Sequence, residues 1–218
     1  MDFFAELETV RSRWNVLDHP FYQRWSAGEL TQRELATYAG QYRHAVVALA
    51  DASHATAAVA GEGLRAGLEA HAAEETAHIS LWDEFTAAVG GDPAAAPTPE
   101  TAACAQAWAG DGERPLLESL AAMYAIESGQ PAISETKTEG LVAHYGCQPG
   151  SDATTYFELH AVRDIEHAAH ERALLEQHLD GADIEALLAE AEAVLKGNWE
   201  LLDGVERLNG RTAALATS

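Results

Sequence analysis

The sequence predicts an all-α domain, on three observations. Apolar residues recur at helical spacing from end to end. No alternating strand pattern of useful length interrupts them, and no repeat of solenoid period is present. Gly and Pro divide the chain into about seven helices with short connections. The 218 residues, 47% hydrophobic and 22% charged, suffice for one globular domain with a full core. No linker breaks residues 1–218, whose folded part is expected over about 2–208, with the tail after Gly210 frayed.

A first helix is expected from Asp2 to Leu17, ended by His19-Pro20, and a short one over Phe21–Ala27. Thr31 with Glu34 three residues on reads as a capping box that starts a helix reaching Val59. After Gly61 and Gly63 another helix covers Leu64–Val89 and stops at Gly90-Gly91. Thr98-Pro99 opens a shorter helix, with Pro in the first turn where its missing N–H costs nothing. A long helix is expected over Pro115–Tyr145, kinked at Pro131, and two more over Asp152–Leu179 and Ala182–Leu208.

Net charge is −22, which repels phosphate backbones and anionic lipid heads and argues against nucleic-acid or membrane partners. No apolar run approaches the ~20 residues of a membrane span, and the N-terminus lacks a signal peptide's pattern, so a cytoplasmic location is expected. Cys104 and Cys147 are isolated from each other and from any zinc-ribbon spacing, and read as reduced thiols. Lysine is rare: Lys137 and Lys196 are the only two, against eleven arginines.

Three patterns carry chemistry. In His160-Ala-Val-Arg-Asp164-Ile-Glu-His167, spacings of four and three place two imidazoles and a carboxylate on one helix face. That set suits a divalent transition metal such as ferrous iron. Glu74-Glu75-Thr-Ala-His78 offers a second imidazole–carboxylate face, with His71 one turn before Glu75; Glu74 is preferred for its i,i+4 spacing, and Glu75 stays open. Glu127 interrupts an apolar run just before Pro131, and a carboxylate there is costly to bury without a partner or cation. A solvated charged face explains each helix pattern taken singly. Together they supply enough carboxylates and imidazoles for two divalent ions, and a compact Cys-rich zinc site is not supported.

The motifs resemble a known family. His19-Pro-Phe-Tyr-Gln-Arg-Trp-Ser-Ala-Gly-Glu-Leu-Thr31 looks like the opening of the haem-oxygenase-like helical proteins, which include TenA-like and PqqC-like members. Glu127-Ser-Gly-Gln-Pro-Ala-Ile-Ser-Glu-Thr-Lys137, Gly140-Leu-Val-Ala-His-Tyr-Gly146 and Tyr156 through His167 resemble the di-iron oxidase and oxygenase branch. Within it the match is to the CADD-like group of para-aminobenzoate synthases, over about residues 17–205.

The resemblance implies a compact seven-helix haem-oxygenase-like bundle. It implies metal ligands Glu74, His78, Glu127, His160, Asp164 and His167, two iron ions (a manganese–iron pair stays open), O2 as co-substrate, an external reductant and a homodimer. The spacing from Glu74 to His78 is shorter than the family's usual one. The group is held to consume its own side chains: Tyr22 matches the tyrosine that supplies the ring, Lys137 the lysine that supplies the amine, and Tyr38 a second tyrosine near the metals. The segment Tyr42-Arg43-His44 departs from the group's aromatic pair. Other members of the branch act on external amines, fatty acids or amino acids. Two further classes compete: metal-free chemistry of the TenA kind, which uses a cysteine nucleophile, and a non-enzymatic helical interaction module.

Overall fold

The computed structural model describes residues 2–211, so the tail beyond Arg211 lies outside the described residues. Nine α-helices and one 3-10 turn, Val16–Asp18, make up the described chain, and no strand occurs among those residues. They are α1 (Phe3–Arg13), α2 (Pro20–Ala27), α3 (Gln32–Val59), α4 (Glu62–Ala88), α5 (Pro99–Ala109), α6 (Leu116–Glu127), α7 (Gln130–His144), α8 (Thr155–His178) and α9 (Ile184–Leu208). None of these helices is long and apolar enough to cross a membrane.

The starts follow side-chain chemistry. The Asp2 carboxylate accepts from the amide of Phe4 and Thr98 Oγ1 from that of Thr101, so orphan amides of α1 and α5 are satisfied. At α3 the expected capping box is present, with Thr31 and Glu34 bonded reciprocally. α2 closes on Gly28, whose φ of 70° lies in the left-handed region that glycine enters at little cost.

The segments bounded in the sequence become nine helices because the one expected over 115–145 is two. Pro131 has no N–H to give the carbonyl of Glu127, and the chain breaks at Ser128–Gly129. Arg11 of α1 spans the break, donating Nη1 to the Ala125 carbonyl at 3.1 Å and Nη2 to Ser128 Oγ at 2.6 Å. Glu127 is therefore the last residue of α6 and lies 1% exposed in the bundle.

α3 packs along α4, α8 lies against α6 and α7, and α9 runs against α5 and α6. α8 is inverted relative to an ordinary amphipathic helix. His160, Asp164, His167 and Glu171 face inward, while Leu159, Val162 and Ile165 are exposed. The His160–His167 face is therefore buried and not the solvated charged face that the pattern taken singly allows.

α2 is seated on α7 through Gly140. A Cβ at Gly140 would stand 2.5 Å from Trp25 Cδ1, and the same indole donates to the Lys137 carbonyl at 3.1 Å. Gly140→Ala is expected to destabilise the fold by about 1–3 kcal/mol through overpacking, beyond any gain in helix propensity. Urea titration checks this; a variant as stable as the parent contradicts so close a seat.

Candidate metal centre

Eight buried side chains from three helices converge. α4 contributes His71, Glu75 and His78, α6 contributes Glu127, and α8 contributes His160, Asp164, His167 and Glu171; all are less than a tenth exposed. α4 and α8 run antiparallel here: His78 meets His160 with ring centroids 4.6 Å apart, and His71 meets His167 at 3.9 Å.

Two groups of donor atoms lie close enough to hold an ion each. One comprises Glu75, His78 and His160; the other comprises His71, Glu75, Glu127 and His167. Glu75 belongs to both. Its Oε1 is 3.1 Å from His78 Nδ1 and 3.7 Å from His167 Nδ1, and its Oε2 is 4.0 Å from His160 Nε2. Glu127 approaches His71 Nε2 at 3.0 Å and His167 Nδ1 at 3.6 Å.

The ring nitrogens are oriented from behind. His160 Nδ1 donates to the Tyr156 carbonyl at 2.7 Å, which leaves Nε2 with a lone pair aimed at the cluster. His167 Nε2 donates to Glu74 at 3.2 Å, which leaves Nδ1 facing Glu75 and Glu127. The structure thus places Glu74 differently from the expectation. Its carboxylate turns outward, receives both guanidinium arms of Arg163 at 2.8 Å, and stands behind His167. The i,i+4 spacing to His78 is real, but the Arg163 pair draws Glu74 to the rim while Glu75 turns into the bundle.

Beside the cluster lies an aromatic chamber around Lys137. The lysine is fully buried and its Nζ has no hydrogen-bond partner. Nζ stands 4.6 Å from the ring centre of Tyr42, 5.5 Å from Tyr38, 5.6 Å from Tyr22 and 5.0 Å from Phe157. Tyr22 and Tyr38 share a 2.9 Å hydroxyl–hydroxyl hydrogen bond. Burial pulls the Lys137 amine down to about 7, against the opposing pull of Asp164. Burial lifts the phenols of Tyr22 and Tyr38 well above their ordinary range, so both stay protonated.

Comparison with known proteins decides the family. A family model described as iron-containing redox enzyme matches residues 36–199. The chain belongs to that family. Two curated relatives, from Chlamydia trachomatis and Nitrosomonas europaea, are each named 4-aminobenzoate synthase. They are 31% and 29% identical, over 93% of this chain in both cases and 91% and 90% of theirs. A solved domain from Shewanella denitrificans with a heme oxygenase-like fold superposes with a TM-score of 0.79 at 18% identity, covering 96% of this chain and 94% of that one, and shows the fold.

The donor set fits the family's iron. His71 Nε2, His160 Nε2, His167 Nδ1, Asp164 Oδ2 and both oxygens of Glu127 and of Glu171 are buried without a hydrogen-bond partner. The 3.0 Å approach of His71 to Glu127 lacks hydrogen-bond geometry. Each unmet group costs about 1–3 kcal/mol, and a shared cation satisfies them together. Nitrogen and carboxylate oxygen with no thiolate suit iron. Cys104 is buried and Cys147 partly so; burial pushes both thiols up, so neither is primed as a nucleophile of the TenA kind.

Sequence reasoning kept Glu75 only as an alternative, noted His71 without including it, and missed Glu171 and Tyr156. Glu171 lies four residues after His167, the next place on the same stripe, but in so acidic a chain another Glu gives no distinct signal.

Charges in the cluster fix how metal affinity varies with pH. Burial, reinforced by neighbouring carboxylates, raises the carboxyls of Glu127, Asp164 and Glu171. In the metal-free fold they keep protons to higher pH than in the unfolded chain, and that stabilisation is lost as pH rises through their raised values. Burial lowers His71 and His167, and His160 to about 4, so the imidazole contribution is present above the ordinary 6.5 and lost as pH falls through those lowered values. Metal needs every donor deprotonated. Anaerobic ferrous iron at a hundredfold excess over Kd should stabilise the fold by about 2.7 kcal/mol. At a fixed iron concentration the gain should be larger near about pH 8 than near about pH 6. Thermal melts with and without iron test this; an equal gain at both pH values contradicts proton competition at these groups.

Proposed function

We propose that the protein is a di-iron oxidase that makes 4-aminobenzoate by consuming its own Tyr22 and Lys137. The observation that carries the reading is Lys137, a fully buried amine, unpartnered and weakened as a base, amid the rings of Tyr22, Tyr38 and Tyr42 and electrostatically coupled to Asp164 of the donor cluster. The names of the relatives support the same product.

Iron held by His71, Glu75, His78, Glu127, His160 and His167, with the buried, unpartnered Asp164 beside them on α8, would supply electrons to O2 and the oxidising power for C–C and C–N bond changes. The rest is done by the chain. Tyrosine and 4-aminobenzoate share a para-disubstituted ring: the Cβ of Tyr22 becomes the carboxyl carbon, and nitrogen replaces the phenol oxygen. Lys137 supplies that nitrogen: burial leaves a large share of its amine neutral near pH 7, with a lone pair for attack on the oxidised Tyr22 ring, from which the phenol oxygen leaves as water. Oxidation and hydrolysis at Cε then break the Nζ–Cε bond and leave an aldehyde at Lys137, and the Cα–Cβ bond of Tyr22 breaks as Cβ is oxidised to the carboxyl, with O2 as the electron acceptor. Tyr38 holds the Tyr22 hydroxyl through the 2.9 Å hydrogen bond and offers a path for its proton. The close aromatic walls keep water from competing with the amine. The donor Nε1 of Trp25 fixes the turn of α7 that carries Lys137. An external reductant restores the iron. Each chain loses the two side chains it uses, so the yield is at most stoichiometric.

An interaction module has no use for eight buried, mostly unpaired ligand atoms, whose burial costs stability. The aromatic chamber is filled by the protein's own side chains, which favours self-consumption over an external substrate of the amine or fatty-acid kind.

Two tests follow. Protein loaded anaerobically with ferrous iron and then given O2 and reductant should release 4-aminobenzoate, detected by mass spectrometry. Tyr22→Phe and Lys137→Gln should each lose at least about a hundredfold of the yield, because the first removes the hydroxyl through which the ring is oxidised and the second the amine that supplies the nitrogen. Product from either variant at parental yield overturns that residue's role. The second test separates the two adjacent glutamates. Glu75→Ala should remove bound iron, whereas Glu74→Ala should bind it about 10–100-fold more weakly and still fill at excess iron, as expected for a group that orients a ligand. The reverse ranking overturns the assignment of Glu75.

A further inference from the structure

Among the eight converging side chains, Glu171 and Asp164 alone lie outside both donor groups, and the motif resemblance supplies Asp164 but not Glu171. Glu171 is 0% exposed, and neither of its oxygens has a hydrogen-bond partner. It sits one turn beyond His167, and spacings of four, three and four place His160, Asp164, His167 and Glu171 on one stripe of α8. Because α4 runs antiparallel to α8, this stripe forms the second rail of a ladder whose first rail is His78, Glu75 and His71. Glu171 continues the second rail at the His71 end, where Gly67 of α4 faces His170.

The charges acting on Glu171 are Glu127, then Asp164 and Glu75, all carboxylates. A carboxylate buried among carboxylates is among the costliest arrangements a core can hold, and a leucine there would be cheaper. The cost disappears where a cation is shared. Two ferrous ions carry four positive charges. Glu75, Glu127 and Asp164 supply three negative charges, and imidazoles bind metal as neutral donors. Glu171 is the fourth negative charge, and it lies one turn of α8 beyond His167, a member of the group His71, Glu75, Glu127 and His167, which shares one of its two carboxylates with the other ion.

We propose that Glu171 is a metal ligand, the carboxylate that completes the ion site at the His71–Glu127–His167 end and brings the two-iron centre to charge neutrality. The proposal rests on the two-iron reading above. It adds a ligand that the motif resemblance does not supply. The centre of this chain reaches one helical turn further toward the Gly67–His170 end than the motif implies.

The test is anaerobic titration of metal-free protein with ferrous iron, followed by Mössbauer spectroscopy, on the parent, Glu171→Gln and Glu171→Leu. The parent is expected to take up two irons. Glu171→Gln keeps the shape and removes the charge; it should bind one iron as the parent does and the second at least about tenfold more weakly, with the quadrupole doublet of one iron changed. Glu171→Leu should hold one iron and, metal-free, melt above the parent because the orphaned carboxyl is gone. Should Leu fail to fold, the Gln variant carries the result. Two irons bound by Glu171→Gln with parental affinity and spectrum overturn the proposal and leave the two-iron reading standing. A parent that binds fewer than two irons overturns both.

Discussion

Four carboxylates and four imidazoles are buried together in this bundle, and most of their inward-facing atoms have nothing to bond to. Without a cation, the groups can relieve the strain only by taking protons. Burial and mutual repulsion raise Glu127, Asp164 and Glu171 accordingly, whereas Glu75 is held low, its own burial outweighed by the hydrogen bond from His78 and the surrounding imidazoles. The cation requirement explains several features that otherwise look like errors of folding. α8 turns its polar side inward and leaves Val162 and Ile165 in solvent. α6 stops at Glu127, where Pro131 ends the hydrogen-bond ladder and Arg11 repairs the break from outside. Each costs stability in the metal-free chain and is offset when iron binds.

The same centre organises the aromatic chamber. Asp164 is shared between the metal donors and the surroundings of Lys137, whose amine it pulls up against burial. Tyr156 stacks on His160 at 3.9 Å and touches Trp82, which packs on Tyr38 and Tyr42. A redox change at the cluster is thus one layer of side chains from the tyrosines and from the lysine whose amine burial pulls down to about 7. Lysine is scarce in this chain, and the one buried here is better suited to nucleophilic chemistry than to a salt bridge.

Much of this was legible in the sequence because it depends on local spacing. The stripe from His160 to His167, the carboxylate at Glu127, the capping box at Thr31 and the isolated Lys137 are all visible from residue type and helical period. Which of Glu74 and Glu75 turns inward was not. Both sit within one turn of His78, and the choice is made by Arg163, eighty-nine residues away, which takes Glu74 bidentately. Glu171 was hidden for a different reason: burial distinguishes it, and burial is a property of the packed helices. The break of the long helix at Ser128–Gly129 was half visible, since Pro131 announced a disturbance without showing that the helix would restart as a separate one.

The central claim is that product atoms come from the protein itself. It is tested most directly by labelling the chain with heavy isotopes in the tyrosine ring and in the lysine side-chain nitrogen, loading it with iron, and starting the reaction with O2 and reductant in unlabelled buffer. The account predicts that the released 4-aminobenzoate carries both labels. Iron bound and O2 consumed with unlabelled product, or with none, would contradict it.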